Sequence, residues 1–423
     1  MGRPAPATDD ERPLPGQDAA MIQAQPAEAT AVPVRSIAFL AAASFVSAAT
    51  MRVGDPLVPL VSEEFHVTAG EAGIVVTAFA MAYGICQLLW GPLGDRFGKF
   101  KLVTVVMLLS VLTVGCAAFT ETMHGLALAR LVAGAMAAAV IPLSMAFIGD
   151  HVPYAQRQPI LARFLSGQIL GLVFGQVFAG VFADYVGWRG VFVLLAGLYL
   201  VVGLLLLRDL LRSRVPPPVL GGRLDPATMA ARYLDLCRRP HARLVLLAVA
   251  IEGLVVFGSF TFVAAWLRLG YGLNYLVVGG ILGFFGLGGL IYAIAASRLV
   301  GRLGERGLVT FGGLGVGASF VLLAIDPPLL LVPVVITALG LGFYMMHNTL
   351  QVNATQMAPE MRGLAVAGFA SVFFIGQALG AWLGGTVVDG AGYAALFTGA
   401  AVLIPMLALL FVEGKRRLSL RQI

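Results

Sequence analysis

The sequence predicts an all-α membrane protein, in which twelve transmembrane helices form two pseudo-symmetric six-helix bundles. Three observations support this fold class: the composition, the number of long apolar runs, and an internal repeat. Of the 423 residues, 59% are hydrophobic and only 12% are charged, whereas a soluble domain carries about 25% charged residues. The chain is therefore expected to lie largely within a lipid bilayer.

Twelve apolar runs are long enough to cross a bilayer as helices, which requires about 20 residues each. These runs, here called spans 1 to 12, lie near 36–60, 73–93, 102–120, 125–148, 164–186, 190–207, 244–267, 276–297, 308–325, 329–349, 364–388 and 393–412. The longest polar interval separates six spans from the other six. The predicted domains are a tail (1–34), an N-terminal bundle (35–207), a cytoplasmic linker (208–243), a C-terminal bundle (244–412) and a second tail (413–423).

The N-terminal tail is rich in Pro, Ala and charge, so we expect it to be disordered, with span 1 directing membrane insertion. Of the 28 basic residues, 24 fall in segments on one side of the predicted membrane. Basic loops stay in the cytoplasm, which predicts cytoplasmic termini in the inner or plasma membrane. A basic footprint for nucleic acid would instead cluster on one folded face, so no nucleic-acid partner is expected.

The second half of the chain repeats the first. At an offset of 206, "DRFGKFKLVT" (95–104) lies over "GRLGERGLVT" (301–310). At an offset of 205, polar and glycine positions also match, among them Arg157 with Arg362, Ser166 with Ser371, Gly171 with Gly376, Gly175 with Gly380, Gly180 with Gly385 and Asp184 with Asp389. Transporters are commonly built from such repeats, so the two bundles are predicted to be related.

The stretch "GPLGDRFGKFK" (91–101) follows span 2 directly. Its residues Gly91, Leu93, Gly94, Asp95, Arg96, Gly98, Lys99 and Lys101 resemble the loop motif of the major facilitator superfamily. The resemblance implies a gate in which Asp95 meets the amide-rich start of span 11, near Gly363, and latches the halves together on the cytoplasmic side. A plain positive-inside loop would explain the basic residues but neither Asp95 nor the glycine spacing.

The predicted cytoplasmic gate includes further loop residues. Its full set is Gly91, Gly94, Asp95, Arg96, Gly98, Lys99, Asp150, Arg157 and Arg362. Gly91 and Gly94 would allow close helix approach, and Gly98 would permit a tight turn. Asp150, Arg157 and Arg362 lie in repeat-related loops, where solvated surface charge is the simpler alternative.

Ionisable residues inside a bilayer are costly and therefore suggest function. We predict proton coupling by Asp55, Arg130 and Glu252, with an ion pair between Asp55 and Arg130. Arg130 and Gly134 also resemble the superfamily's helix 4 pattern, which is associated with proton coupling. The alternatives are a structural ion pair, or a local Arg52–Asp55 pair with Arg130 reaching the lipid headgroups. Glu252 could instead meet a cationic substrate.

The predicted substrate cavity contains Arg52, Gln168, Gln176, His347, Asn348 and Gln351. His347, Asn348 and Gln351 share one side of span 10, where they could respond to pH or simply line the end of the helix. Span 5 carries Gly167, Gly171, Gly175 and Gly180 for close packing. This pattern resembles the exporter signature of the family, although Gln176 stands where that signature has Pro.

These features predict a secondary transporter that works by alternating access. Asp55 and Arg130 resemble the drug–proton antiporter branch of the superfamily, and the midplane positions are mostly apolar. Proton-coupled efflux of a small amphipathic or hydrophobic solute is therefore the leading interpretation, and proton-coupled uptake is the alternative. No catalytic arrangement of Ser, His and Asp and no metal-ligand spacing is visible, so neither an enzyme nor a cofactor is expected, with the proton gradient as the energy source. A sensor with a transporter fold is a further alternative. The fold usually acts as a monomer, and the expected partners are a small-molecule substrate and the bilayer.

Overall fold

The computed structural model describes residue 2 and residues 33–212 and 226–420. Within these ranges all regular structure is helical. The predicted N-terminal tail lies outside the described residues except for positions 2, 33 and 34. The linker arginines Arg214 and Arg223 and the last three residues also lie outside them.

Twelve membrane helices are present within the described residues, as the sequence predicts. Spans 1 to 4 comprise Val34–Arg52 continued by Gly54–Phe65, Ala69–Ala72 continued by Ile74–Phe97, Lys99–Gly115 continued by Cys116–Phe119, and Met123–His151. Spans 5 and 6 form Tyr154–Arg212, spans 8 and 9 form Tyr275–Ala324, and spans 11 and 12 form Arg362–Leu420. Span 7 comprises Pro240–Glu252, Gly253–Phe257, Gly258–Phe260 and Val263–Tyr271, and span 10 comprises Leu329–Leu331 and Val332–Gln356.

Glycines with positive φ divide the three longest helices into pairs of spans. Gly187, Gly304 and Gly392 have φ values of 67°, 62° and 83°, which a residue with a Cβ rarely adopts. Gly98, between spans 2 and 3, has φ 91°. At the offsets of the internal repeat, Gly98 corresponds to Gly304 and Gly187 corresponds to Gly392. Residues that correspond in this way are here called repeat mates. Each turn of this kind in the first half therefore recurs in the second.

The repeat also recurs as contacts between helices. In each half, three glycines lie so close to a neighbouring helix that a Cβ added to any of them would collide with a backbone carbonyl. The equivalent contacts are Gly134 with Phe79 and Gly340 with Phe285; Gly171 with Phe45 and Gly376 with Ala250; and Gly175 with Ala49 and Gly380 with Leu254. Small residues let helices approach closely in membranes. The pseudo-symmetry predicted from the sequence is thus confirmed at the level of individual backbone contacts.

The linker contains a helix, Pro226–Arg238, and the helix of span 6 continues to Arg212, beyond the predicted end at 207. Leu236 of the linker helix is buried and lies against span 11, within 3.5 Å of the position that a Cβ on Gly368 would take. Arg239 forms an ion pair with Glu360, just before span 11. The linker helix is therefore attached to the C-terminal half.

The loops lie on two opposite faces. The face that carries Val34 and Leu420 also carries the turns at Gly98 and Gly304 and is here called the termini face. The other face carries the turns at Gly187 and Gly392 and is here called the distal face.

Spans 1 and 7 are both interrupted partway along their length. Pro56 has no N–H to bond the carbonyl of Arg52, and the helix is broken at Val53. Span 7 contains a π-helical turn, Gly253–Phe257, a feature that is frequent at functional sites. These two interruptions bring together the charged residues described below.

Candidate functional site

A buried ion pair lies at the break in span 1. Arg52 is 6% exposed and Asp55 is 1% exposed, and Arg52 Nη1 stands 3.5 Å from Asp55 Oδ2. The guanidinium carbon of Arg52 also lies 3.8 Å from the ring centre of Phe257 in span 7. Phe257 is the repeat mate of Arg52 at an offset of 205, so the two equivalent positions meet where the halves face each other.

Arg130 does not form the predicted ion pair with Asp55. Its Nη1 and Nη2 each donate to the carbonyl of Thr50 at 3.3 Å, and its Nε donates to the carbonyl of Val75 at 3.3 Å. These backbone carbonyls satisfy the buried guanidinium, while Asp55 is paired locally with Arg52. Arg130 is buried, so it does not reach the lipid headgroups either. The local Arg52–Asp55 pair, weighed as an alternative, is therefore present.

Gly134 explains how Arg130 is positioned. A Cβ at this residue would collide with the carbonyl of Phe79, so spans 2 and 4 are in direct backbone contact. Phe79 lies beneath Arg130, with 4.3 Å between the guanidinium carbon and the ring centre. A cation over an aromatic face is stabilised by the ring quadrupole. The Arg-and-Gly spacing thus holds a buried cation between spans 1, 2 and 4.

A second buried carboxyl lies in the C-terminal half. Glu252 is fully buried, and its Oε2 is 2.7 Å from Nδ1 of His347 in span 10. The Oε1 atom has no hydrogen-bond partner among the described residues. The His347 ring stacks on Phe343 and packs against Phe373, with ring centres 4.9 and 4.8 Å apart. The sequence pointed to both residues but not to their contact.

The other predicted cavity residues differ in exposure. Gln176 is buried, Gln168 and Asn348 are half-buried, and Gln351 is exposed. Gln176 follows Gly175, which touches the backbone of span 1 at Ala49. Gln176 therefore lies in the same layer as the break in span 1, whereas Gln351 lies toward the termini face.

The predicted gate residues lie on the termini face, and in this conformation Asp95 does not contact the start of span 11. Lys99 Nζ lies 3.1 Å from Asp95 and 2.5 Å from Asp150, and the Asp95 side chain is 65% exposed. Arg157 donates to the carbonyl of Gly149 at 2.6 Å. Arg362 is exposed, and the guanidinium carbon of Arg96 lies 5.3 Å from the Phe97 ring centre.

The three glycines of the motif have different surroundings. A Cβ on Gly94 would collide with Leu143 of span 4, so this glycine permits close packing within the N-terminal half. Gly98 makes the turn between spans 2 and 3. A Cβ on Gly91 would meet no atom within 4 Å, and the same is true of Gly363.

Two repeat-related aspartates join the halves on the distal face. Asp184, at the end of span 5, accepts hydrogen bonds from the backbone N–H groups of Tyr275 and Leu276 at 3.2 and 2.8 Å. Asp389, at the end of span 11, accepts from the hydroxyl of Thr68 at 2.7 Å and the N–H of Gly70 at 3.1 Å. Helix N-termini have unpaired donors and favour an anion, so each carboxylate caps a helix of the other half.

Other distal contacts support the same closure. Glu63 of span 1 accepts from the Tyr275 hydroxyl at 2.8 Å and pairs with Arg268 at 3.3 Å. A Cβ on Gly180 would stand 2.6 Å from the Cα of Gly279. The two aspartates were visible in the sequence as repeat mates, but nothing in the sequence assigned them a partner.

The comparisons with known proteins settle the family. A family model described as the Major Facilitator Superfamily matches residues 40–363. This chain belongs to the major facilitator superfamily. Similar relatives include the MFS-type transporter YceJ of Bacillus subtilis (strain 168), 24% identical over 375 residues, covering 86% of this chain and 94% of that protein. The multi-drug resistance efflux pump PmrA of Streptococcus pneumoniae serotype 4 is 24% identical over 365 residues, covering 84% of this chain and 89% of that protein.

A solved structure agrees on the fold. A crystal structure of the nucleoside transporter NupG has a TM-score of 0.74 with 13% identity, and the alignment covers 90% of this chain and 99% of that one. At this identity the likeness concerns the fold alone. Membership of the major facilitator superfamily makes this chain a multi-pass membrane transporter rather than an enzyme. Within the described residues, no group of three or more His, Cys, Asp and Glu side chains could hold a metal ion.

Proposed function

We propose that this transporter exports a small amphipathic or hydrophobic solute in exchange for protons. The observation that carries the proposal is the nearly inaccessible carboxyl of Asp55, which is paired with Arg52 at the break in span 1. An ionisable group buried in a membrane span is a functional candidate by default. Secondary transporters bind substrate between their two halves near the bilayer midplane, and Arg52 reaches the other half at Phe257.

The orientation follows from charge. We place the termini face in the cytoplasm because the sequence assigns 24 of the 28 basic residues to segments on that side. The distal face, held closed by Asp184 and Asp389, is then extracytoplasmic. With the distal face closed, solute loading would take place from the cytoplasmic side, as an exporter requires.

Exchange requires that the proton and the solute cannot bind the transporter at the same time. A solute cation or hydrogen-bond donor that pairs with Asp55 favours its carboxylate form and so displaces a proton. When the transporter opens to the other side, a proton binds Asp55 and releases the solute. The efflux pump PmrA, to which the chain is similar, is consistent with this direction.

Uptake with protons is the alternative, and the charge of the solute distinguishes it. A solute anion that pairs with Arg52 would separate this residue from Asp55 and favour protonation of the unpaired carboxyl. Solute and proton would then travel together. Glu252 and His347, joined at 2.7 Å, form the second candidate for carrying the proton.

A vesicle experiment tests the direction. The purified full chain is reconstituted in liposomes, and vesicles with an acidic interior and a neutral exterior are supplied with ethidium, a fluorescent amphipathic cation, and then with a panel of amphipathic compounds. If solute and protons are exchanged, at least one compound should accumulate inside the vesicles as protons leave them. This accumulation should be lost when a protonophore dissipates the proton gradient. Accumulation only when protons flow inward with the solute would overturn export and establish uptake.

A further inference from the structure

A cavity of about 460 Å³ opens on the distal face of the C-terminal half. It lies between the end of span 7, the loop between spans 9 and 10, and the turn between spans 11 and 12. Its lining includes Trp266, Gly270, Tyr271, Asp326, Tyr393 and Ala394. This volume is within the range that holds a small molecule, and neither Asp55 nor Glu252 contributes to it.

In the N-terminal half the equivalent place is filled by an arginine of the chain itself. Arg189 lies with its guanidinium carbon 4.2 Å from the ring centre of Trp188. It forms an ion pair with Glu64 and donates from Nη2 to the carbonyl of Thr120 at 2.9 Å. The guanidinium is therefore held by an aromatic face, a carboxylate and a carbonyl.

The repeat shows what differs in the second half. The mates of Trp188, Arg189, Glu64 and Thr120 are, at offsets of 205 and 206, Tyr393, Ala394, Gly270 and Asp326, and all four line the cavity. The arginine and its carboxylate partner are reduced to Ala and Gly, which leaves open space. An aromatic ring is retained, and a new carboxylate stands where Thr120 offered a carbonyl.

Asp326 is held in an unusual backbone conformation. Its φ is 51°, one of two positive values among the described residues other than glycine, and such strain tends to occur at functional sites. Its Oδ1 accepts a hydrogen bond from Trp266 Nε1 at 2.8 Å, which orients the carboxylate. No hydrogen bond to the second oxygen is formed by the described residues around it.

We propose that this distal cavity binds an organic cation, an alkylguanidinium or alkylammonium group, from outside the protein. The charged head pairs with Asp326, and the rings of Tyr271 and Tyr393 cover its alkyl part and faces. A carboxylate beside aromatic rings suits such cations because charge attraction and cation–π attraction add. The ligand takes the place that Arg189 occupies in the other half, so the internal repeat supplies the template.

Such a group has two sources, a free amine in solution or the ethanolamine head of a lipid. Leu269, which also lines the cavity, is 69% exposed, so an exposed apolar side chain borders the cavity. Both sources share the ammonium group. Binding measured first in detergent without lipid, and then in nanodiscs with or without phosphatidylethanolamine, separates them, because a lipid occupant would compete with a soluble probe.

The test uses propylguanidinium, which reproduces the end of an arginine side chain, and isothermal titration calorimetry on the full chain. The wild-type protein is expected to bind one equivalent. Asp326→Asn keeps the acceptor for Trp266 but removes the charge, and should weaken binding about tenfold, the factor for about 1.4 kcal/mol. Ala394→Arg rebuilds the arrangement of the N-terminal half, and should abolish binding while raising the melting temperature.

Glu121→Gln is the matched control, because Glu121 is an exposed carboxylate on the same face and should leave the affinity unchanged. No binding to the wild-type protein, or equal binding to the wild type and Ala394→Arg, would overturn the site. Intrinsic fluorescence of the four tryptophans checks that each variant is folded. Because proton-driven transport is measured separately, failure of this site leaves the proposed export untouched.

Discussion

Asp55 is the residue at which proton coupling is most directly testable. Its side chain is buried beside Arg52, so replacing Asp with Asn keeps size and hydrogen bonding but removes the titratable group. We expect Asp55→Asn to abolish proton-driven accumulation in vesicles, while solute exchange without a gradient survives. Glu121→Gln serves as the control. If driven transport is unchanged, the proton carrier is Glu252 and the same experiment is repeated on Glu252→Gln.

A substitution at Arg130 tests a different role, because its three hydrogen bonds all go to backbone carbonyls. A lysine has one compact ammonium group and cannot serve the carbonyls of Thr50 and Val75 with the same forked geometry. Leaving a buried acceptor unpaired costs about 1–3 kcal/mol. Arg130→Lys should therefore lower the melting temperature in detergent, whereas Arg163→Lys, an exposed position, should not. If both variants melt at the same temperature, the hydrogen bonds to these carbonyls do not explain why an arginine stands at position 130.

At the scale of the helices, one glycine in span 5 and one in span 6 allow a matched pair of tests. A Cβ on Gly175 would collide with the backbone of Ala49, while a Cβ on Gly197 in span 6 would meet nothing within 4 Å. Gly175→Ala should separate spans 1 and 5 and lower the melting temperature by several degrees. Gly197→Ala should raise stability by up to about 1 kcal/mol because alanine favours the helix. Stabilisation by both substitutions would contradict close packing at Gly175.

The helices also show what the sequence could predict. Span positions and the repeat follow from local hydropathy and from glycine spacing, because these depend on residue type alone. The bonds from Arg130 to the Thr50 and Val75 carbonyls could not be predicted, since every residue has a carbonyl and none is marked in a sequence. The contacts of Asp184 and Asp389 depend on which face of the molecule is closed, which is a property of conformation.

For the whole molecule, alternating access requires the two faces to close in turn, and Asp95 is the candidate on the termini face. Its side chain is exposed and, among the described residues, pairs with Lys99, as expected when that face is open. Asp95→Ala should slow turnover and raise the labelling of a cysteine placed at Gly363, because the closed state loses its latch. Lys101→Ala, which keeps Asp95, is the control. Unchanged labelling would show that Asp95 does not reach span 11 in any state.

The aspartates on the distal face allow the opposite movement, opening of that face, to be tested. The carboxylates of Asp184 and Asp389 supply acceptors to unpaired N–H groups at the starts of spans 8 and 2, where losing a cap costs about 1 kcal/mol. The double substitution Asp184→Ala with Asp389→Ala should therefore shift the balance toward distal opening by about 2 kcal/mol, a factor of about 30.

Spin labels on His124→Cys and Leu330→Cys, two exposed distal positions in different halves, report this balance as a distance distribution in a background without the three native cysteines. The distribution should move to longer distances in the double variant and stay in place with Glu121→Gln. Each single variant should move it by part of that amount, because the two caps lie on different helix pairs and act independently. If only one aspartate matters, the closure is asymmetric, and if neither does, the glycine contacts between Gly180 and Gly279 hold the distal face closed by packing alone.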